Sequence, residues 1–308
     1  MPPAEAPLQE PEPGGFSYAE AFSRNIGWVT RDEQQQLRGK CVAIAGMGGV
    51  GGAHLLTLAR LGIGAFHIAD FDSFGLANMN RQAGAFMSTI DQPKVEVLLQ
   101  MARDINPELK ITAFPDGVTD ANLDRFLTGV DVYVDGLDFF AFAARQATFN
   151  ACTERRIPAV TAAPLGMGTA VLSFLPGRMT FEQYFRWGDH PDDEKAVRFL
   201  VGLAPAGLHG RYLVDPSAVS LSEQRGPSSI MGVTLCAGVA ATEVLKIALG
   251  RGEVLCAPHG MQFDAYRNKL TRTWRPGGNG HPLQRLMIMI GRQRYRQARA
   301  ADAVKAPR

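Results

Sequence analysis

The chain has 308 residues, 46% hydrophobic and 20% charged, and its 32 Lys and Arg against 30 Asp and Glu give a net charge of +2. This composition is typical of a folded globular protein and excludes collagen-like, disulfide-stapled and wholly disordered chains. No apolar run reaches the roughly 20 residues of a membrane span, and the proline- and glutamate-rich start does not resemble a signal peptide. We therefore expect a cytoplasmic protein without a transmembrane segment.

The chain begins with a proline-rich segment, residues 1–15, that lacks apolar periodicity and is predicted to be disordered. Residues 16–275 then read as one domain in which short apolar runs alternate with helical patterns. Strands are predicted at 41–46, 65–70, 109–114, 130–136, 157–163 and 167–176, and helices at 50–61, 93–104, 120–127 and 141–154. This alternation predicts a Rossmann-like, doubly wound and mostly parallel α/β sheet with helices on both faces.

The later part of the chain is less regular. Residues 176–227 have scattered glycine, proline and charge, so we assign no helix or strand there and interpret the stretch as a divergent crossover or substrate-facing region. A long apolar helix is predicted over 228–249, and two strands, at 260–266 and 269–274, extend the sheet. Residues 276–308 form a basic helix or tail.

Charge is unevenly distributed along the chain. Residues 281–308 carry a net charge of +6, so the rest carries −4, since the total is +2. A mildly acidic body argues against a broad nucleic-acid-binding face. The tail is expected to pack on the body or in a dimer, and binding to a membrane surface or a partner is the alternative.

The four cysteines are isolated from one another at positions 41, 152, 236 and 256. No C-x-x-C spacing exists, so no zinc site is predicted, and the thiols are expected to be reduced and mostly buried. Cys236, on the long apolar helix, is interpreted as a core residue rather than a reactive thiol.

A glycine loop follows the first strand and opens the next helix. Gly46, Gly48, Gly49 and Gly51 lie in the sequence GMGGVGG, where glycines let the backbone approach phosphates at a helix N-terminus. Asp70 ends the second strand, where an acid can accept hydrogen bonds from ribose hydroxyls. The loop predicts a nucleotide but does not distinguish NAD, FAD and ATP.

The polar residues after the second and fourth strands favour a triphosphate. Asp72, Asn78 and Arg81 follow Asp70 in one loop at the carboxyl edge of the sheet, and arginine can grip phosphate oxygens with several donors. Lys94 at a helix start adds a second cation, and Asp138 after the fourth strand is placed to hold Mg²⁺. Each alone is typical of a solvated surface residue, but their combination indicates a site.

Several of these motifs together resemble those of the ThiF/MoeB/HesA adenylyltransferases, bacterial relatives of ubiquitin-activating enzymes. The similar motifs are FSRN (22–25), the glycine loop, DFD-x₅-N-x-NRQ (70–82), QPK (92–94), DGLD (135–138) and FDA (263–265). The resemblance implies a homodimer that binds MgATP and joins AMP to a carboxylate, commonly the C-terminal glycine of a ubiquitin-like carrier. The carboxylate of a peptide or a small molecule is also a candidate.

The resemblance also implies residue roles. Asp70 would bind the ribose, Asn78, Arg81 and Lys94 the phosphates, Asp138 the Mg²⁺, and Arg24 the ATP of the partner subunit.

The sequence departs from that family at three places. The zinc-binding cysteine pairs are missing, no cysteine lies between 153 and 235 to take a thioester, and Leu137-Asp138-Phe139 replaces the usual Thr-Asp-Asn. An acyl-adenylate is therefore expected to pass directly to an outside nucleophile. Residues 225–229, before the long helix, are a candidate anion site for the substrate.

Two other functions remain open. An NAD(P)- or FAD-dependent oxidoreductase would use the same glycine loop but would not explain Arg81, Lys94 and Asp138 together. A non-catalytic scaffold of the same fold would not need this complete set of residues.

Overall fold

A computed structural model describes residues 15–219 and 226–305. Within these ranges the strands are β1 (Cys41–Ala45), β2 (Ala65–Ala69), β3 (Lys110–Phe114), β4 (Val132–Asp135), β5 (Ala159–Leu165), β6 (Gly168–Phe174), β7 (His259–Asp264) and β8 (Lys269–Trp274). The α-helices are α1 (Tyr18–Ala21), α2 (Arg31–Arg38), α3 (Gly49–Leu61), α4 (Lys94–Ile105), α5 (Leu123–Leu127), α6 (Phe142–Glu154), α7 (Phe181–Phe185), α8 (Asp192–Leu203), α9 (Ile230–Leu249) and α10 (Pro282–Lys305).

The strands form a single sheet in the order β3-β2-β1-β4-β5-β6-β7-β8. Strands β1 to β5 pair in parallel, and β6, β7 and β8 continue the sheet as antiparallel neighbours. The predicted fold class, a mostly parallel sheet extended by C-terminal strands, is confirmed. The strand order reverses at β1, and ligands bind at the carboxyl ends of the strands next to such a reversal.

The alternation of side chains along the strands builds a separate core on each face of the sheet. On β1, Val42 and Ile44 pack with helices α2, α3, α4 and α9, whereas Ala43 and Ala45 pack on the opposite face with α5, α6, α7 and α8. Because both faces are covered, the central strands are apolar at nearly every position, as expected for a parallel sheet.

The crossover region contains more regular structure than its sequence predicted. Residues 192–203 form α8, whose first turn carries Asp192, Asp193 and Glu194, and acids at that end favour a helix. Its apolar residues Phe199 and Leu203 are buried against the sheet. Charged residues scattered along α8 obscure the helical periodicity of its apolar residues in the sequence.

An aromatic core lies under the crossover. Phe181, Tyr184, Phe185 and Trp187 are all buried, and the ring of Phe181 stacks on that of Phe149 with centroids 4.3 Å apart. Offset aromatic pairs add stabilisation beyond the area that they bury. These rings therefore anchor the crossover to the sheet.

Helix α9 is the long apolar helix that the sequence predicted over 228–249. It meets the length and hydropathy of a membrane span, but it packs against α3, β5 and β6, as a core helix does. Gly250 ends it in the left-handed conformation, with a positive φ of 60°.

Helix α3 contains a fully buried histidine, His54, for whose ring nitrogens the described residues provide no hydrogen-bond partner. Burial disfavours the charged imidazolium and lowers the pKa of His54 to about 4 from an ordinary value of 6.5. The unfolded chain therefore takes up a proton at a higher pH than the folded chain. Stability is lost as the pH falls below 6.5 toward 4.

We predict that His54→Leu flattens this pH dependence. Relative to the variant, the wild type should lose about 3 kcal/mol of unfolding free energy between pH 7 and pH 4. Urea unfolding at several pH values measures the free energy of unfolding of each protein. His190→Leu, at an exposed histidine, is the control and should keep the pH dependence of the wild type. Parallel curves for wild type and His54→Leu would contradict the assignment.

Candidate nucleotide-binding site

The site is built on a three-way backbone contact at the carboxyl ends of β1 and β4. Gly46 follows β1 with a φ of 86°, and a Cβ there would lie 2.2 Å from the Gly136 carbonyl oxygen. A Cβ on Gly51, in the first turn of α3, would lie 1.7 Å from the Gly46 carbonyl oxygen. Only glycine fits at these positions, since real Cβ atoms do not approach backbone so closely.

The other two predicted glycines have space around them. The nearest atom to a Cβ on Gly48 would be Gln82 Nε2 at 3.7 Å, and Gly48 caps α3 without a side-chain hydrogen bond. The first N–H groups of α3 therefore have no capping side chain. An open helix N-terminus of this kind binds phosphate.

Asp70 fixes the shape of the glycine loop. Its Oδ2 accepts a hydrogen bond from the Met47 N–H at 2.5 Å, and its Oδ1 accepts one from the Asp72 N–H at 2.8 Å. The carboxylate is half-buried and keeps further lone pairs. Asp70 thus holds two loops at once, next to the position predicted for a ribose.

Asp72 and Lys94 form an ion pair beside this loop. Lys94 Nζ lies 2.8 Å from Asp72 Oδ2, and the lysine side chain is 7% exposed while that of Asp72 is 53% exposed. The Lys94 N–H also donates to the Asp72 carbonyl oxygen at 2.9 Å. The predicted phosphate-binding lysine is therefore pre-positioned by an acid that solvent can reach.

Arg81 lies directly over the glycine loop. Its Cγ is 3.7 Å from the position of a Cβ on Gly49, and its Nη1 donates to the Ala77 carbonyl oxygen at 2.8 Å and to Asn80 Oδ1 at 2.9 Å. Asn78 holds the preceding turn, since its Oδ1 accepts from the Gly75 N–H at 2.9 Å. Both predicted residues thus belong to the loop that borders the site.

Asp138 is exposed in the loop after β4, which meets the glycine loop through Gly136. Its Oδ1 accepts a hydrogen bond from the Phe140 N–H at 3.0 Å. The other oxygen makes no hydrogen bond with the described residues. This suits Mg²⁺, which in proteins takes one or two carboxylates and keeps waters and phosphates.

A buried ion pair that the sequence reading missed holds the Asp138 loop. Arg145 Nε lies 2.8 Å from Asp135 Oδ2, with both side chains at most 3% exposed. Arg145 Nη2 donates to the carbonyl oxygens of Leu137 and Asp138, and Thr161 Oγ1 donates to Asp135 Oδ2. The signal was an acid ending a strand and an arginine ten residues later, in the first turn of the helix that follows that strand.

The unusual Phe139 joins this loop to the crossover. Its ring lies 5.5 Å from that of Phe199 on α8 and 4.9 Å from that of Phe140. Phe139 therefore extends the aromatic core of the crossover to the edge of the site.

The turn between β5 and β6 is held by Tyr212 and Ser229. Tyr212 Oη donates to Asp264 Oδ2 at 2.8 Å and accepts from the Met167 N–H at 2.7 Å. Ser229 Oγ donates to the Gly166 carbonyl oxygen at 2.6 Å and caps α9 by accepting from the Gly232 N–H. Ser229 thus fills the cap of the candidate anion site at 225–229, and Arg225 lies outside the described residues.

Arg24 is not in the site of its own chain. It is exposed, and its neighbour Asn25 donates to the Leu61 carbonyl oxygen at the C-terminal end of α3. Since α3 has 13 residues, that end lies about 20 Å from the glycine loop. All the predicted site residues except Arg24 therefore lie in or beside the glycine loop and the loops after β2 and β4.

The cysteines take no part in the site. All four are free; Cys152 and Cys236 are buried, whereas Cys41 and Cys256 are only half-buried, so burial is less complete than predicted. Burial raises the pKa of Cys236 to about 12, and this agrees with its reading as a core residue. The described residues contain no group of three His, Cys, Asp or Glu that could hold a metal.

Comparison with known proteins gives a consistent result. A sequence model described as "ThiF family" matches residues 22–283. The chain is 33% identical over 141 residues to tRNA threonylcarbamoyladenosine dehydratase of Bacillus subtilis, which covers 46% of this chain and 55% of that protein. It is 31% identical over 170 residues to the sulfur carrier protein ThiS adenylyltransferase of Escherichia coli, covering 55% and 67%.

Among solved structures, E. coli MccB with ATP superposes with a TM-score of 0.60 at 17% identity, over 78% of this chain and 65% of that one. At this identity the likeness concerns the fold alone. The chain spans about half the length of the curated relatives that it matches, so their whole activities do not transfer directly.

We predict that Gly51→Ala destabilises the protein by about 3 kcal/mol or more, because its Cβ must push α3 away from β1. The matched control is Gly238→Ala in α9, where a Cβ would meet nothing within 4 Å. That change should be neutral or stabilise by up to about 1 kcal/mol. Chemical denaturation measures both, and equal stability of the two variants would contradict the contact.

Proposed function

The chain belongs to the ThiF family, and on that premise we propose that it is an ATP-dependent adenylyltransferase that activates a carboxylate. The observation that carries the proposal is the meeting of the open N-terminus of α3 with Arg81, Lys94 and Asp138 at the strand-order reversal. Relatives of the chain are named adenylyltransferases. A nicotinamide or flavin enzyme has no evident need for two cations and an exposed acid here.

The chemistry follows from charge. A substrate carboxylate attacks the α-phosphorus of ATP, a new O–P bond forms, and the bond to the pyrophosphate oxygen breaks, so that acyl-AMP and pyrophosphate result. Both reactants are anionic, and the reaction therefore depends on positioning and on neutralising charge. No protein nucleophile is required for this step.

The residues are assigned roles that match their placement. Asp70 binds the ribose from the end of β2, while the amides of the glycine loop, Asn78 and Arg81 hold the phosphates. Lys94 turns from Asp72 to a phosphate oxygen when the nucleotide enters, since the exposed Asp72 is readily solvated. Asp138 would hold Mg²⁺, which when bound neutralises phosphate charge.

We expect Asp138→Asn to lower pyrophosphate exchange into ATP by about 100-fold or more, because a neutral amide holds Mg²⁺ poorly. Asp104→Asn, an exposed acid on α4, is the matched control and should keep wild-type exchange. The assay uses peptides with free C-termini, a small carrier protein ending in glycine, and tRNA bearing a carboxylate.

Other outcomes separate the competing functions. Absence of exchange with every acid, together with no rise in Tm on adding saturating MgATP, would support a non-catalytic scaffold. Stabilisation by NADH or FAD but not by MgATP would support an oxidoreductase.

The substrate that we favour is the C-terminal carboxylate of a small carrier protein or peptide. One relative is named for the sulfur carrier protein ThiS, and neighbouring structures contain MccB with the peptide MccA. Because no cysteine lies between 153 and 235, the acyl-adenylate passes directly to an external thiol or amine. A carboxylate on tRNA is the second candidate, since another relative is a tRNA-modifying dehydratase. We place the activity in the cytoplasm.

The protein is proposed to work as a homodimer in which each site receives Arg24 from the other subunit. Arg24 is exposed, and its neighbour Asn25 contacts the C-terminal end of α3, which lies about 20 Å from the glycine loop. Large exposed side chains occur near it and in the loops around the site, namely Trp28, Leu76, Met79, Phe86 and Met87. Apolar surface of this extent is typical of an interface.

A mixing experiment tests the exchange of Arg24 between subunits. Arg24→Ala and Asp138→Asn should each be inactive alone, but an equimolar mixture should regain about a quarter of wild-type exchange, because half the dimers then contain one intact site. If Arg24 serves its own subunit, mixing will restore nothing. Purification through a tag carried by only one variant, followed by detection of the other variant in the eluate, confirms that subunits exchange.

A further inference from the structure

The C-terminal helix α10 is attached to the body by one of its faces. Ile288 and Gln284 are buried on that face, and Gln284 Nε2 donates to the Val201 carbonyl oxygen of α8 at 3.0 Å. Gly291 allows a close approach, since a Cβ there would lie 2.8 Å from Val197 Cγ1. Arg292 adds an ion pair with Glu194 at 2.5 Å. The helix is therefore docked in a fixed orientation.

A second face of α10, here called the outer face, points to solvent and is apolar. Leu283, Leu286, Met287 and Met289 are 54%, 48%, 43% and 59% exposed. The first three recur at the spacing of three and four residues that places side chains on one side of a helix. A contiguous exposed apolar stripe is a mark of an interaction surface.

The same helix carries unpaired positive charge. Residues 282–297 contain four arginines and no acidic residue. Arg292 is paired with Glu194, whereas Arg285, Arg294 and Arg296 are exposed and form no ion pair with the described residues. Whatever covers the outer face must therefore accept apolar side chains and supply negative charge.

We propose that the outer face of α10 lies on an anionic lipid surface and holds the enzyme there peripherally. An amphipathic helix with arginines beside leucine and methionine inserts its apolar side chains between headgroups while its charges meet the phosphates. The outer face presents leucine and flexible methionine rather than large aromatic anchors, which suits a fluid surface better than a shaped protein pocket.

RNA would satisfy the arginines but leaves the apolar stripe unexplained, since contacts to the phosphate backbone need no exposed leucine or methionine. A second copy of the chain would have to bring negative charge to this helix. The residues before 281 carry a net charge of only −4. The lipid surface therefore accounts for both properties of the outer face.

The test is flotation of the full-length protein with vesicles of phosphatidylcholine alone or mixed with phosphatidylglycerol. The wild type should float only with the anionic vesicles and be released by high salt. Leu286→Gln with Met287→Gln should reduce binding roughly tenfold or more, and Arg294→Gln with Arg296→Gln roughly 20-fold. The apolar control is Leu270→Gln on β8, which is 56% exposed and should bind like the wild type.

All of these side chains are exposed, so each variant should keep the wild-type Tm, and unchanged unfolding shows that loss of binding is not misfolding. No flotation of the wild type, or equal loss in Leu270→Gln, would overturn the proposal. Binding of tRNA that persists in the Leu286→Gln, Met287→Gln variant would also overturn it. Dissociation of a dimer by this double variant alone would overturn it as well, because the outer face would then be a dimer interface.

Discussion

The site depends on one short-range constraint, the contact of three backbones at Gly46, Gly51 and Gly136. The ends of β1 and β4 and the first turn of α3 approach more closely than any side chain would allow. This contact directs the free N–H groups of α3 to the reversal of strand order, and it sets the Asp138 loop beside them. The positions of the charged residues follow from that arrangement.

Buried charge then fixes what the backbone contact has placed. The Asp135–Arg145 pair lies in the core. Removing one partner would leave an unpaired charge buried away from water and is therefore strongly destabilising. Its guanidinium also holds two carbonyl oxygens of the loop that carries Asp138. A residue that touches no nucleotide thus determines where the acid proposed to hold Mg²⁺ stands.

The sequence was sufficient for the fold class and for the strands, because apolar strands alternating with helices have few possible topologies. It did not predict that β6, β7 and β8 pair as antiparallel neighbours. The sequence also indicated the glycine loop and its polar neighbours, because the residue types alone show which groups they can bind. It did not reveal that Asp72 holds Lys94, or that Asp135 and Arg145 pair, because such contacts depend on where separate loops meet. Helix α8 was not predicted because charged residues on its surface obscure the apolar face. The distance of Arg24 from the glycine loop could not be predicted because it depends on how the N-terminal segment packs.

The link between Phe139 and Phe199 has a consequence for how this protein changes over time. The crossover is the stretch whose sequence we interpret as substrate-facing, and its helix α8 shares an aromatic contact with the Asp138 loop. On that interpretation, a substitution in the crossover that shifts Phe199 also shifts the loop that carries Asp138. For the proposed activity, the choice of acid and the rate of its activation would then change together in variants of the crossover.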